Sequence, residues 1–191
     1  LLDVAASGEN VVEREGLSIR HPAKFVLVGS GNPEEGELRP QLQDRFGLSV
    51  GVRTPSDVPT RVEIIRSREA FDKDRGAFRK RWARKESTLR RRIQRAREAL
   101  DSVDTPANLL ETAAKLCIAL GTDGLRGELT LVRSARALAA LNSDSTATLE
   151  HLKTIAPSVL RHRLRRDPLD ESSADIRVER VIAELFNDCD D

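Results

Sequence analysis

Three side chains in this sequence pair a chemistry suited to phosphate with a position that would expose it. Asn32 stands in VGSGNP, just past the apolar run Lys24–Gly29. Its neutral amide can donate to a phosphate oxygen and orient a water without proton transfer, and the carboxyl edge of a sheet is where α/β folds bind ligands. The same residues also read as an ordinary Gly-Asn-Pro turn. Arg45, in LQDRFG, lies between a short helical piece and the next apolar run. Either it pairs with Asp44 on a solvated face, or its guanidinium reaches a neighbouring molecule's nucleotide and stabilises charge on a transferred phosphoryl group. Arg126, in DGLRGELTLVRSARALAAL, precedes an apolar-faced helix with Glu128 near its first turn. It is either a flanking surface residue or a fork of donors beside a positive helix end, which suits a phosphate.

The elements that must position these residues follow from periodicity. Val11–Arg14 and Leu17–Arg20 are β-prone runs around Glu15-Gly16, predicting a hairpin closed by a glycine at positive φ. Lys24–Gly29 and Leu48–Val52 are short apolar runs bounded by Gly and Pro, predicting strands buried on both faces. Residues 29–40 are loop, and Gln41–Phe46 is a short helix. Leu1–Ser7 reads as a final helical turn stopped by Gly8.

Beyond Thr54 the pattern is helical. Ser56 or Asp57 caps a helix to Phe71, with Val58, Val62, Ile65 and Glu69 on successive turns. Arg75–Leu100, Asn108–Leu120, Glu128–Leu141, Thr148–Leu164 and Ala174–Phe186 follow. The reading is mixed α/β for residues 1–55, then an all-helical domain over 56–191.

Composition narrows the functional classes. Lys and Arg number 32 against 31 acidic residues, a net charge of +1 over 191 residues, so no global charge draws the chain to DNA or an anionic membrane. Aromatics are 3%, too few for a base-stacking platform. The loudest local feature is RGAFRKRWARKESTLRRRIQRAR. Ala77, Trp82, Leu89, Ile93, Ala96 and Leu100 trace one apolar stripe through it, predicting a solvated helix face or one that docks on an acidic partner. Cys117 and Cys189 have no ligand or redox spacing, and His21, His151 and His162 are scattered, so no metal site is predicted. No run is long enough to span a bilayer, and no GxxxxGK phosphate loop occurs.

The long composite motifs resemble one family. NVVEREGLSIRHPAKFVLVGSGNPEEGELRPQLQDRFGLSVGV is similar to the segment after Walker B in the AAA+ subunits of magnesium chelatases. GLRGELTLVRSARALAAL resembles their sensor-2 segment and HRLRRDPLDE their C-terminal end. Asn-Pro and Asp-Arg-Phe also recur in MoxR-type ATPases; GLRGELTL with HRLRRDPLDE favours the chelatase.

The resemblance implies that this is the C-terminal remainder of an AAA+ αβα core (β-hairpin, sensor-1 strand, last core strand) followed by an all-helical lid domain, with Walker A and Walker B upstream of Leu1. It implies that Asn32 is sensor 1, Arg45 the arginine finger and Arg126 the sensor-2 arginine. ATP and Mg2+ are the implied cofactors, held mainly by residues outside this chain. The implied function is the ATPase motor driving Mg2+ insertion into protoporphyrin IX in (bacterio)chlorophyll biosynthesis. A MoxR-like remodelling ATPase and a non-hydrolysing AAA+-like scaffold subunit are the alternatives. The implied partners are further copies in a homo-oligomeric ring, a second AAA+ chelatase subunit and a large porphyrin-binding subunit, in cytoplasm or plastid stroma, with neither nucleic acid nor membrane insertion.

Overall fold

The computed structural model describes residues 4, 7–14, 16–32, 36, 38–164 and 174–187. It divides into two compact units, Leu1–Leu48 and Ser49–Asp191.

In the first unit β1 (Glu9–Arg14) pairs antiparallel with β2 (Leu17–Pro22), in a register that sets Val12 opposite Ile19 and Arg14 opposite Leu17. Gly16 supplies the turn at φ +83°, a region that side chains with a Cβ disfavour. The helical turn expected over Leu1–Ser7 lies largely outside the described residues. Its closing bond is present, from Gly8 N–H to Val4 O at 2.8 Å. A single helical turn, α1 (Pro40–Gln43), precedes Arg45.

Two expected strands are absent as strands. Lys24–Gly29 has no ladder partner among the described residues, and Val26 and Val28 are 90% and 87% exposed. Leu48–Val52 joins no ladder among the described residues either, and Val52 is 91% exposed. A strand exists through its ladder, and the apolar runs carry the residues of buried strands without the neighbours that would bury them. Within the second unit the amide of Ser49 instead donates to the helical carbonyl of Ser158 at 2.8 Å, one of the terminal carbonyls that a helix leaves unpaired.

The second unit is helical: α2 (Val58–Lys73), α3 (Arg75–Ala99), α4 (Ala107–Ala119), α5 (Arg126–Asn142), α6 (Leu149–Leu160) and α7 (Ala174–Asn187), with a 3-10 turn at Leu100–Ser102. Asp57 caps α2, its carboxylate accepting from Thr60 N–H at 2.8 Å. That hydrogen bonding holds the Asp57 carboxyl below its ordinary range. Asp74 is a one-residue joint: its N–H bonds Ala70 O at the end of α2, and its carboxylate takes Ala77 N–H at the start of α3 at 2.9 Å. Phe71 and Phe78 meet edge-to-face across it, 5.5 Å between centroids, with Trp82 beyond.

The core lies between α4, α5, α6 and α7. Leu109, Ala113 and Leu116 of α4, Leu131, Ala135 and Ala139 of α5, and Leu152, Ala156 and Val159 of α6 are fully buried, with Val178 from α7. Their three- and four-residue spacings put one stripe of each helix inward. Alanines on α5 let neighbouring helices approach closely. The stripe expected along α3 is only half used: Ala96 and Leu100 pack on the core, while Leu89 and Ile93 remain 54% and 46% exposed. No residue of α2 or α3 is buried.

Two arginines lock α3 against α5. Arg92 on α3 donates through Nε to Leu141 O at 2.8 Å and through Nη2 to Asn142 Oδ1 at 3.0 Å, at the C-terminal end of α5. In return Arg136 on α5 donates to Leu100 O at 3.0 Å, just past the end of α3. Each helix thus caps the other's terminal carbonyls with a cation, where the negative dipole end favours one. Arg92→Ala and Arg136→Ala are each expected to cost about 1 kcal/mol, read as a lower urea midpoint at unchanged m-value. A double variant whose loss equals the sum of the singles would show that the two caps act independently.

Candidate functional site

Within the first unit, Arg45 is placed by the turn that closes α1. Its N–H bonds Leu42 O at 3.2 Å and the next amide, Phe46, bonds Gln43 O at 3.0 Å. The Phe46 ring then lies on Gly29: a Cβ built there would sit 3.6 Å from Phe46 Cζ, an ordinary contact distance. Gly29 begins the loop that reaches Asn32 three residues later. One aromatic contact therefore connects the turn carrying Arg45 to the loop carrying Asn32, both with exposed side chains. Pro33, which follows Asn32, lies outside the described residues.

Arg126 belongs to the second unit and is the first residue of α5, rather than the residue before the helix as the sequence predicts. Three glycines shape this approach. Gly121 (φ +64°) ends α4, Gly124 (φ +67°) turns the loop, and Gly127 is buried in the first turn of α5. The α4 end is closed by Gly121 N–H to Ile118 O and Thr122 N–H to Cys117 O at 3.0 and 3.1 Å, the six-to-one pattern of a glycine-terminated helix. A Cβ on Gly127 would stand 3.1 Å from Cys117 Sγ and 3.5 Å from Thr122 Oγ1. Any side chain here would press on Cys117, which would have to give by a few tenths of an ångström for α5 to begin this close to α4.

Leu125 caps α5 without a side-chain hydrogen bond, and Glu128 supplies the acid of the first turn. The Arg126 guanidinium is exposed beside the start of α5, and a fork of donors next to a helix N-terminus is a combination that suits a phosphate. Glu128 presses the other way, its Oε2 being buried without a hydrogen-bond partner. Asn32 and Arg45 thus share one unit and Arg126 stands on the other.

The residues missed from sequence are the supports, Phe46, Cys117, Thr122 and Gly127. The spacing of Gly121, Gly124 and Gly127 was the available signal. The C-terminal motif HRLRRDPLDE falls mainly on 165–171, outside the described residues. Among the described residues no three of His, Cys, Asp and Glu group to hold a metal ion, and no helix is long and apolar enough to cross a membrane.

Two consequences of this packing are measurable. Gly127→Ala improves helix propensity by about 1 kcal/mol, yet the forced contact with Cys117 should leave a net loss of about 1 kcal/mol. In a Cys117→Ala background, where Sγ is gone, the penalty should disappear. Burial, chiefly, pushes the Cys117 thiol up from 9.0 to about 11, the Thr122 hydroxyl pulling it back and the Glu128 carboxylate adding to the rise. The folded state therefore keeps a proton that the unfolded chain releases. Stability from this group is fully present below pH 9 and is lost as pH rises towards about 11, at no more than about 1.4 kcal/mol per pH unit. Denaturation midpoints across that window should fall less steeply for Cys117→Ala; an identical slope would mean the thiol is not the group responsible.

Residues 110–184 match the AAA lid domain family. The chain is 64% identical over 187 residues to the magnesium-chelatase 38 kDa subunit of Acidiphilium rubrum, covering 98% of this chain and 54% of that protein. It is 63% identical to the 38 kDa subunit of Cereibacter sphaeroides, over 97% of this chain and 56% of that one. Identity is 48% to the chloroplastic magnesium-chelatase subunit ChlI of Oryza sativa subsp. indica, over 97% and 45%. The chain thus spans about half the length of the curated relatives it matches. A solved structure from Cytophaga hutchinsonii, described as a candidate ATPase, superposes with TM-score 0.69 at 17% identity over 95% of this chain and 59% of that one, which supports the AAA fold. Along nearly its whole length the chain is thus similar to magnesium-chelatase 38 kDa subunits, and over residues 110–184 it carries the AAA lid domain.

Proposed function

We propose that this chain is part of the ATP-hydrolysing motor of a magnesium chelatase, acting in (bacterio)chlorophyll biosynthesis. The observation that carries this reading is its high identity, over nearly its full length, to proteins named as magnesium-chelatase subunits. Residues 1–55 belong on this reading to the core and 56–191 to the lid. The residues fit a nucleotide's phosphates as accessory contacts. Arg126 stands exposed at a helix start built from glycines, Asn32 is exposed within a loop, and Arg45 is exposed in the turn after α1. The groups that hold ATP and its Mg2+ are assigned outside these residues, and the Mg2+ that enters protoporphyrin IX is substrate.

In this mechanism Asn32 orients the attacking water through an amide that cannot gain or lose the proton. Arg45 of one copy reaches the γ-phosphate held by its ring neighbour and offsets the charge that develops during transfer. Arg126, fixed to the first turn of α5, couples phosphate occupancy to the position of the whole lid. The partners are further copies of the chain in a ring, a second AAA+ chelatase subunit and a large porphyrin-binding subunit, in cytoplasm or stroma.

The test uses the full-length protein with both partner subunits, ATP, Mg2+ and protoporphyrin IX. Arg45→Ala is expected to lower ATP turnover by about 10³-fold or more and to abolish insertion. Unchanged turnover would remove the finger assignment. ATP hydrolysis by the parent protein without insertion would instead assign a MoxR-like remodelling ATPase, and absence of both a scaffold.

A further inference from the structure

We propose that α3 is a docking surface for an acidic, amphipathic helix contributed by another protein. Over Arg75–Ala99 the helix carries eleven basic residues and two acidic ones, although the whole chain is nearly neutral at +1. The excess is therefore local, on one element roughly 35 Å long. Little of it is used within the chain. Arg92 caps α5, Arg75 lies over the Phe71 ring at 5.3 Å and Lys85 over Trp82 at 4.5 Å. The other eight are exposed.

An apolar feature lies within this charge. Leu89 and Ile93, four residues apart on one face, are 54% and 46% exposed. Arg90 and Arg97 stand beside Ile93, three residues before and four beyond it, which places them on the same side of the helix. No residue of α3 is buried, so the chain itself leaves this face open among the described residues. A partner that suits it presents one or two apolar side chains to Leu89 and Ile93, with carboxylates to either side, repeated at helical spacing.

Nucleic acid fits less well. Exposed Leu89 and Ile93 have no counterpart on a phosphate backbone. The aromatics that could stack on bases are taken up by one another at the joint, where Phe78 and Trp82 lie 6.0 Å apart and the Trp82 Nε1 is buried.

The probe is a dye-labelled peptide of about 20 residues, long enough to form a helix, with leucines at every third and fourth position and glutamates elsewhere. Its anisotropy is titrated with the full-length protein at physiological salt, alongside a same-composition scrambled peptide, a duplex DNA and phosphatidylserine vesicles. The expected result is saturable binding of the amphipathic peptide, weaker binding of the scrambled one, and a loss of about tenfold or more in both Arg90→Glu/Arg97→Glu and Leu89→Ser/Ile93→Ser. Circular dichroism checks that both variants keep the parent's helix content. Equal binding by parent and variants would overturn the proposal, as would duplex or vesicle binding tighter than peptide binding. So would a change in self-association, rather than in peptide affinity, on charge reversal. ATP turnover is not the readout, so this inference and the motor assignment fail separately.

Discussion

The seating of α3 on the helical unit depends on the reciprocal exchange of arginines between α3 and α5. α3 buries no side chain, so contact area alone would hold a charged helix of 25 residues weakly. Arg92 and Arg136 instead bind it through the carbonyls that helices leave unpaired, each at the other's end. The exchange fixes both ends of the contact, and it sets where the open remainder of α3 points. Because α5 also begins with Arg126, the clamp at its far end and the glycine-built approach at its start belong to one rigid element.

That element is seated by a second set of constraints. Asn142 accepts from Arg92 and also stands 3.4 Å from His151 Nε2. The same imidazole lies 3.1 Å from the Asp144 carboxylate and accepts from the Thr148 amide at the start of α6. Polar groups around the α5–α6 turn thus serve one another, and a parallel bridge between Asp104 and Thr146 ties the turn to the segment before α4. Pro157, inside α6, gives up one helical hydrogen bond, yet its own carbonyl still receives Arg161 from both the backbone and Nε.

Legibility in the sequence followed the range of the interaction involved. The hairpin, α2 with its Asp57 cap, and the four core helices were readable because capping residues, turn glycines and apolar spacing act within a few residues. The strands expected at Lys24–Gly29 and Leu48–Val52 were not realised, since apolar content states that a segment prefers burial but not what will cover it. The same ambiguity made the α3 stripe look continuous, when only Ala96 and Leu100 reach the core. For the candidate site, the motifs pointed to Asn32, Arg45 and Arg126. The supports Phe46 and Cys117 stayed hidden because each acts on a glycine far away in sequence.

Asp74 ends one helix and starts the next with the same residue, and the Phe71–Phe78 edge-to-face contact braces the corner. A longer linker would absorb displacement as slack. Here both sides of the bend are hydrogen-bonded to a single residue, so a push on α2 arrives at α3 as a turn of the arm, and the angle at the elbow becomes the quantity through which force passes.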